Sequence, residues 1–123
     1  MYLITKGAAE SIMLAAQNTY PNEFFSMLGG KNKTIKELVI VPATYGKNYS
    51  TFRIDLVPFD PEIIGTVHSH PSKYNSPSKA DLNSFSKIGE IHLIISYPYT
   101  FENIAAYNKY GEKTELKLIE NAE

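Results

Sequence analysis

The run His68-Ser69-His70-Pro71, with Ser78 and Asp81 behind it, constrains this chain more than any other stretch. On a strand, residues i and i+2 share a face, so His68 and His70 on extended backbone can aim both imidazoles at one point. Pro71 cannot donate to a sheet ladder and stops that strand. Ser78-Lys79-Ala80-Asp81 then has the form of a capping box, with aspartate replacing the usual glutamate or glutamine. The local order is strand, polar loop, helix.

The same residues carry chemistry. Zinc takes imidazole and carboxylate ligands, and a catalytic site uses three of them and leaves a fourth position for water. His68, His70 and Asp81 make up that count. Glu23 is the candidate for moving protons, and the Ser78 hydroxyl for donating a hydrogen bond to an oxyanion. Plainer readings stand beside these. The Ser78–Asp81 pair could do no more than start a helix. Glu23 is one of ten glutamates and could be a surface charge. His92 reads as an ordinary strand histidine, and Lys73, Tyr74 and Asn75 as solvent-facing loop residues beside the site.

Composition narrows the class. The chain has 123 residues, 43% hydrophobic and 20% charged, with a formal net charge of -1. That fits one globular domain spanning residues 1–123 and gives no electrostatic pull toward nucleic acid or anionic lipid. No cysteine is present, so disulfides and thiol nucleophiles are excluded. The absence of a signal pattern and of a long apolar run points to a soluble, cytoplasmic protein with no membrane partner.

Along the chain, Thr5 is a natural N-cap, and Ala8, Ile12, Ala15, Ala16 and Thr19 form one helical stripe, giving a helix over residues 6–18. Residues 23–28 read as a strand starting at Glu23, ended by Gly29-Gly30, with a turn at Lys31-Asn32. Strands follow at residues 35–44, 52–56 and 63–68. A second helix opens at Ser78 with Leu82, Phe85 and Ile88 on its apolar face and Gly89 as its terminator. Residues 91–96 return as a strand, and a hairpin joins 103–108 to 114–119 around Tyr110-Gly111. The sum is an α/β (α+β mixed) architecture, a mixed sheet with helices packed on it.

The spacing His68-x-His70, seven residues, Ser78, two residues, Asp81 resembles the JAMM motif of MPN-domain (Mov34/JAB-type) metalloproteases. Glu23 in Pro21-Asn22-Glu23-Phe24 sits where that family keeps its upstream glutamate, and Gly65-Thr66-Val67 looks like its strand into the site. The chain is most similar to small stand-alone archaeal members. The resemblance implies a curved mixed sheet flanked by two main helices, similar to cytidine deaminases. It implies one zinc ion on His68, His70 and Asp81, with Glu23 as general base and acid and Ser78 at the oxyanion. It also implies an isopeptidase acting after the C-terminal glycines of ubiquitin-like or sulfur-carrier modifiers joined to lysine. Apart from the resemblance, sheet edges and exposed tyrosines permit a homodimer without predicting it. The short connections lack the insertions by which larger relatives grip ubiquitin chains. A non-catalytic scaffold on the same fold is the alternative. A nucleobase deaminase is disfavoured, because its signature uses paired cysteine ligands.

Overall fold

The computed structural model describes residues 1–39 and 62–120. Among these lie eight strands in one sheet and two α-helices. In chain order they are β1 (Tyr2–Thr5), α1 (Lys6–Thr19), β2 (Phe25–Lys31), β3 (Thr34–Val39), β4 (Ile63–His70), α2 (Lys79–Phe85), β5 (Ile91–Ser96), β6 (Ile104–Asn108), β7 (Lys113–Thr114) and β8 (Leu116–Ile119). The sheet order is β7-β6-β5-β4-β2-β3-β1-β8. β4 runs parallel to β5, β1 runs parallel to both β3 and β8, and the remaining neighbours are antiparallel. The expected mixed sheet with helices is what forms. No helix among the described residues is long and apolar enough to cross a membrane.

The sheet curls nearly into a barrel. β7 and β8 occupy opposite edges, yet only Glu115 separates them in sequence. Two residues of chain reach about 7 Å at most, so the two edges must come together there. The last predicted hairpin is corrected by this: β6 pairs with only two residues of β7, while residues 116–119 pair with β1 at the far edge. β1 itself, four residues long, has no signature in the sequence, because so short a strand carries little periodicity.

Helix α1 lies inside the curl. The Thr5 hydroxyl accepts a hydrogen bond from the Ala8 N–H at 3.1 Å, and Ala8, Ala9, Ile12 and Ala16 form its buried face. These pack on Ile4, Leu28, Ile35, Val67, Leu93 and Ile95. Three alanines on that face let the helix approach the concave sheet closely.

Several boundaries differ from expectation. β2 begins at Phe25, so Glu23 precedes the strand rather than starting it, and β2 runs through Gly29 and Gly30 to Lys31. Those glycines serve close approach: a Cβ on Gly30 would meet the Thr34 carbonyl. The turn falls on Asn32 and Lys33, both at positive φ (54° and 62°), the backbone a two-residue hairpin needs. β4 continues through His70, and α2 ends at Phe85, short of Ile88. The inward face of α2 is Asp81 and Phe85, one helical turn apart, and Leu82 is 42% exposed. The expected strand at 52–56 and the end of that at 35–44 lie outside the described residues.

The alternation along β4 divides the sheet into two faces. Val67 points toward α1, while Thr66, His68 and His70 point toward α2. Phe25 stands opposite His68 on β2, and Ile94 beside it on β5.

Candidate metal centre

Two elements bring the site together. The end of β4 carries His68, fully buried, and His70, whose side chain is 17% exposed. The first turn of α2 carries Asp81, also buried. Ser78 caps that turn: its hydroxyl oxygen accepts from the Asp81 N–H at 3.1 Å, and its own N–H donates to Asp81 Oδ2 at 2.8 Å. The capping box and the inward aim of the carboxylate are thus one arrangement. The box uses the Ser78 oxygen as an acceptor and leaves the hydroxyl proton for another partner.

The three side chains converge tightly. His68 Nε2 is 3.2 Å from His70 Nε2 and 3.2 Å from Asp81 Oδ1, and His70 Nε2 is 3.4 Å from Asp81 Oδ2. A tetrahedral ion with bonds of about 2.0–2.1 Å holds its ligand atoms about 3.3–3.4 Å apart. The triangle has that size, and no other group of three or more histidine or acidic side chains among the described residues could hold a metal. The residues present fit a zinc ion.

Electrostatics at the triangle favour a cation. Burial alone would raise the Asp81 pKa, but hydrogen bonds from both imidazoles, the charge of His68 and the Ser78 N–H together hold it far below the usual carboxylate range. Burial pulls His70 down, yet Asp81, the Tyr74 carbonyl and the charge of Glu23 carry it above the ordinary histidine value. His70 Nδ1 lies 3.0 Å from the Tyr74 carbonyl oxygen. A carbonyl only accepts, so Nδ1 carries a proton, and in the neutral ring Nε2 presents its lone pair to the triangle.

Glu23 lies within electrostatic reach of the triangle. Its charge acts on both His70 and Tyr99. Its place is set by its neighbour: the Phe24 N–H donates to the Ser69 hydroxyl at 2.8 Å, and the Ser69 N–H donates to the Phe24 carbonyl at 2.9 Å. Ser69, lying between the two histidines and pointing to the opposite face, therefore latches the glutamate's segment onto β4. The sequence offered only its position in the motif as a signal. Three tyrosines form one wall nearby, with ring centroids 5.2 Å (Tyr20–Tyr97), 6.0 Å (Tyr20–Tyr99) and 5.7 Å (Tyr97–Tyr99) apart. The Tyr99 hydroxyl donates to the His70 carbonyl at 3.2 Å.

His92 lies farther along the same face. Its Nδ1 is 2.7 Å from the Thr66 hydroxyl, and its ring stacks on Phe85 at 4.3 Å. Burial pushes its pKa down to about 4, with the charge of His68 acting in the same direction and the Phe85 and Gly89 carbonyls opposing. The sign follows from proton counts. Between pH 6.5 and 4 the unfolded chain binds the proton that folded His92 refuses, so this stabilisation is whole above pH 6.5 and drains as pH falls. The loss by pH 4.5 is about 2–3 kcal/mol. Denaturant unfolding at pH 7.5 and 4.5 checks it: the acid loss should be smaller in His92→Phe than in the wild type by that amount, and an equal loss in both would refute the assignment.

Comparison with known proteins agrees with this geometry. Residues 5–108 match the family of prokaryotic homologues of the JAB domain. A probable metalloprotease of Haloferax volcanii is 33% identical over 128 residues, covering 95% of this chain and 79% of that protein. A solved structure described as a JAMM metalloprotease-like zinc site in the proteasome and signalosome superposes with a TM-score of 0.79 at 32% identity, covering 98% of this chain and 99% of its own. A JAB1/MPN domain protein from Archaeoglobus fulgidus gives a TM-score of 0.77 at 32% identity, covering 98% of each chain. With a mixed, curled sheet that carries two histidines and an aspartate at the spacing of a tetrahedral ion, the chain belongs to the prokaryotic JAB-domain family of JAMM/MPN metalloproteases.

Proposed function

We propose that this protein is a zinc-dependent isopeptidase that cuts after the C-terminal glycines of a ubiquitin-like or sulfur-carrier modifier joined to a lysine side chain. The observation that carries the reading is the triangle of His68, His70 and Asp81, with the Glu23 carboxylate close enough to act on His70. Bound there, zinc would lower the pKa of a water toward ~7 and polarise the scissile carbonyl.

The chain's own groups do the rest. The Glu23 carboxylate takes the proton of the attacking water and hands it to the departing lysine amine. The free hydroxyl proton of Ser78 is available to the oxyanion, a donor of a kind worth ~3–4 kcal/mol in the transition state. A modifier tail ending in glycines has no side chains there to hold its backbone away from the triangle.

Incubation of zinc-loaded protein with a modifier–lysine conjugate, with and without chelator, tests the reading. Mass analysis should show free modifier ending at its terminal glycine and an unmodified lysine, and chelator should abolish the cut. Intact conjugate in the loaded sample, or cleavage untouched by chelator, would overturn it.

A further inference from the structure

The loop between β4 and α2 joins the two halves of the ligand set, and it is not merely a solvent-facing connection. Tyr74 is 78% exposed, yet its carbonyl turns to His70 Nδ1. Next to it, the Asn75 carbonyl accepts from the Tyr107 hydroxyl at 2.8 Å, and the Asn75 amide donates to the Asn103 carbonyl at 3.1 Å. Both partners come from the far side of β5: Tyr107 from β6, and Asn103 from the residue before it. Tyr107 is buried, and its ring also lies against Phe85 of α2, with centroids 6.4 Å apart. One side chain thus touches the loop that orients His70 and the helix that carries Asp81.

We propose that Tyr107 and Asn75 are positioning residues for the metal centre: by pinning the loop they hold the Tyr74 carbonyl on His70 Nδ1 and so keep Nε2 as the ligating nitrogen. The physical reason is general. A ligating histidine takes its tautomer and ring orientation from the partner of its other nitrogen, and loss of such a partner typically weakens metal binding 10–100-fold. Here that partner is a backbone carbonyl, which no point substitution can delete. Its position therefore depends on the residue beside it, whose carbonyl and amide are both tied to the β6 side of the sheet. The Tyr107 hydroxyl is the one side-chain donor on the Asn75 carbonyl among the bonds described.

The inference rests on the zinc reading for its consequence but not for its geometry, so the experiment has two arms. Tyr107→Phe removes one oxygen and keeps the ring on Phe85, and Asn75→Ala changes a half-buried surface loop; both should fold. In metal-free protein at alkaline pH, where the ring is neutral, ¹⁵N shifts of the His70 ring should report an Nδ1–H tautomer in the wild type and a mixture of tautomers in either variant. In the second arm, zinc competition against a chromogenic chelator should show about tenfold weaker binding for each variant. Tyr2→Phe, a hydroxyl removed from a strand near the other edge of the sheet, should leave both readouts at wild-type values. A purely structural role for Tyr107 would lower the melting temperature while leaving the His70 shifts and zinc affinity unchanged, and that result overturns the proposal. A wild type with the Nδ1–H tautomer and no affinity for zinc would instead overturn the metal reading and leave the loop brace standing.

Discussion

Asp81→Asn is expected to strip the protein of its metal while leaving most of its fold. The carboxylate is buried between two imidazole Nε2 atoms, 3.2 Å from one and 3.4 Å from the other. An amide in its place brings no negative charge, and its NH₂ can donate to the lone pairs that a cation needs. The loss should exceed the 10–100-fold typical of an outer-shell partner, and hydrolysis should vanish with the metal. The helix start suffers less, because the amide oxygen can still accept from the Ser78 N–H. The fold should lose about 1 kcal/mol, the usual scale of a cap substitution. Metal analysis after dialysis against a weak chelator, paired with thermal melting, checks both halves. Stoichiometric zinc in folded Asp81→Asn would remove Asp81 from the ligand set.

The pH dependence of metal loading has the same origin. His70 sits above its ordinary pKa in the metal-free protein because Asp81, the Tyr74 carbonyl and Glu23 outweigh its burial. A ligating imidazole must be neutral. Zinc uptake therefore releases that proton, and affinity falls as pH drops through the raised value. Asp81 contributes nothing to this dependence near neutrality, since its pKa lies far below the usual carboxylate range.

The convergence of His68, His70 and Asp81 was legible because its logic is local. Strand alternation, a proline stop and a serine–aspartate cap each act within a few residues, so the pattern from His68 to Asp81 prescribes how the chain must turn. What escaped was what only the assembled sheet decides. Residues 114–119 look like one arm of a hairpin, but closure of the curl divides them between two edges. Gly29-Gly30 reads as a strand end, whereas the structure uses the missing side chains for close approach of neighbouring backbone. Leu82 fits a helical stripe with Phe85, yet Asp81 takes the inward position, because the capping box turns the helix that way. The Tyr74 carbonyl left no trace at all, being backbone. The Tyr107–Asn75 bond joins residues 32 apart in sequence, beyond any local pattern.

Glu23→Gln should separate binding from catalysis. Glu23 is not a corner of the triangle, so zinc content and the melting temperature of the loaded protein are expected to match the wild type. The Phe24 backbone would remain latched on Ser69 by its two hydrogen bonds, so the glutamine would occupy the same place. An amide cannot take up a proton at neutral pH, and the attacking water would then lose its acceptor and the departing amine its donor. General acid–base groups contribute about 10²–10⁴-fold, and because Glu23 would serve both steps the turnover number should fall toward the upper end of that range. The Michaelis constant should change little, since substrate contacts stay intact. Steady-state kinetics on a modifier–lysine conjugate, with zinc measured in the same sample, decides the matter. Turnover within tenfold of wild type at full zinc occupancy would move the proton-transfer role away from Glu23, whereas a zinc-depleted variant would make Glu23 a ligand instead of a base.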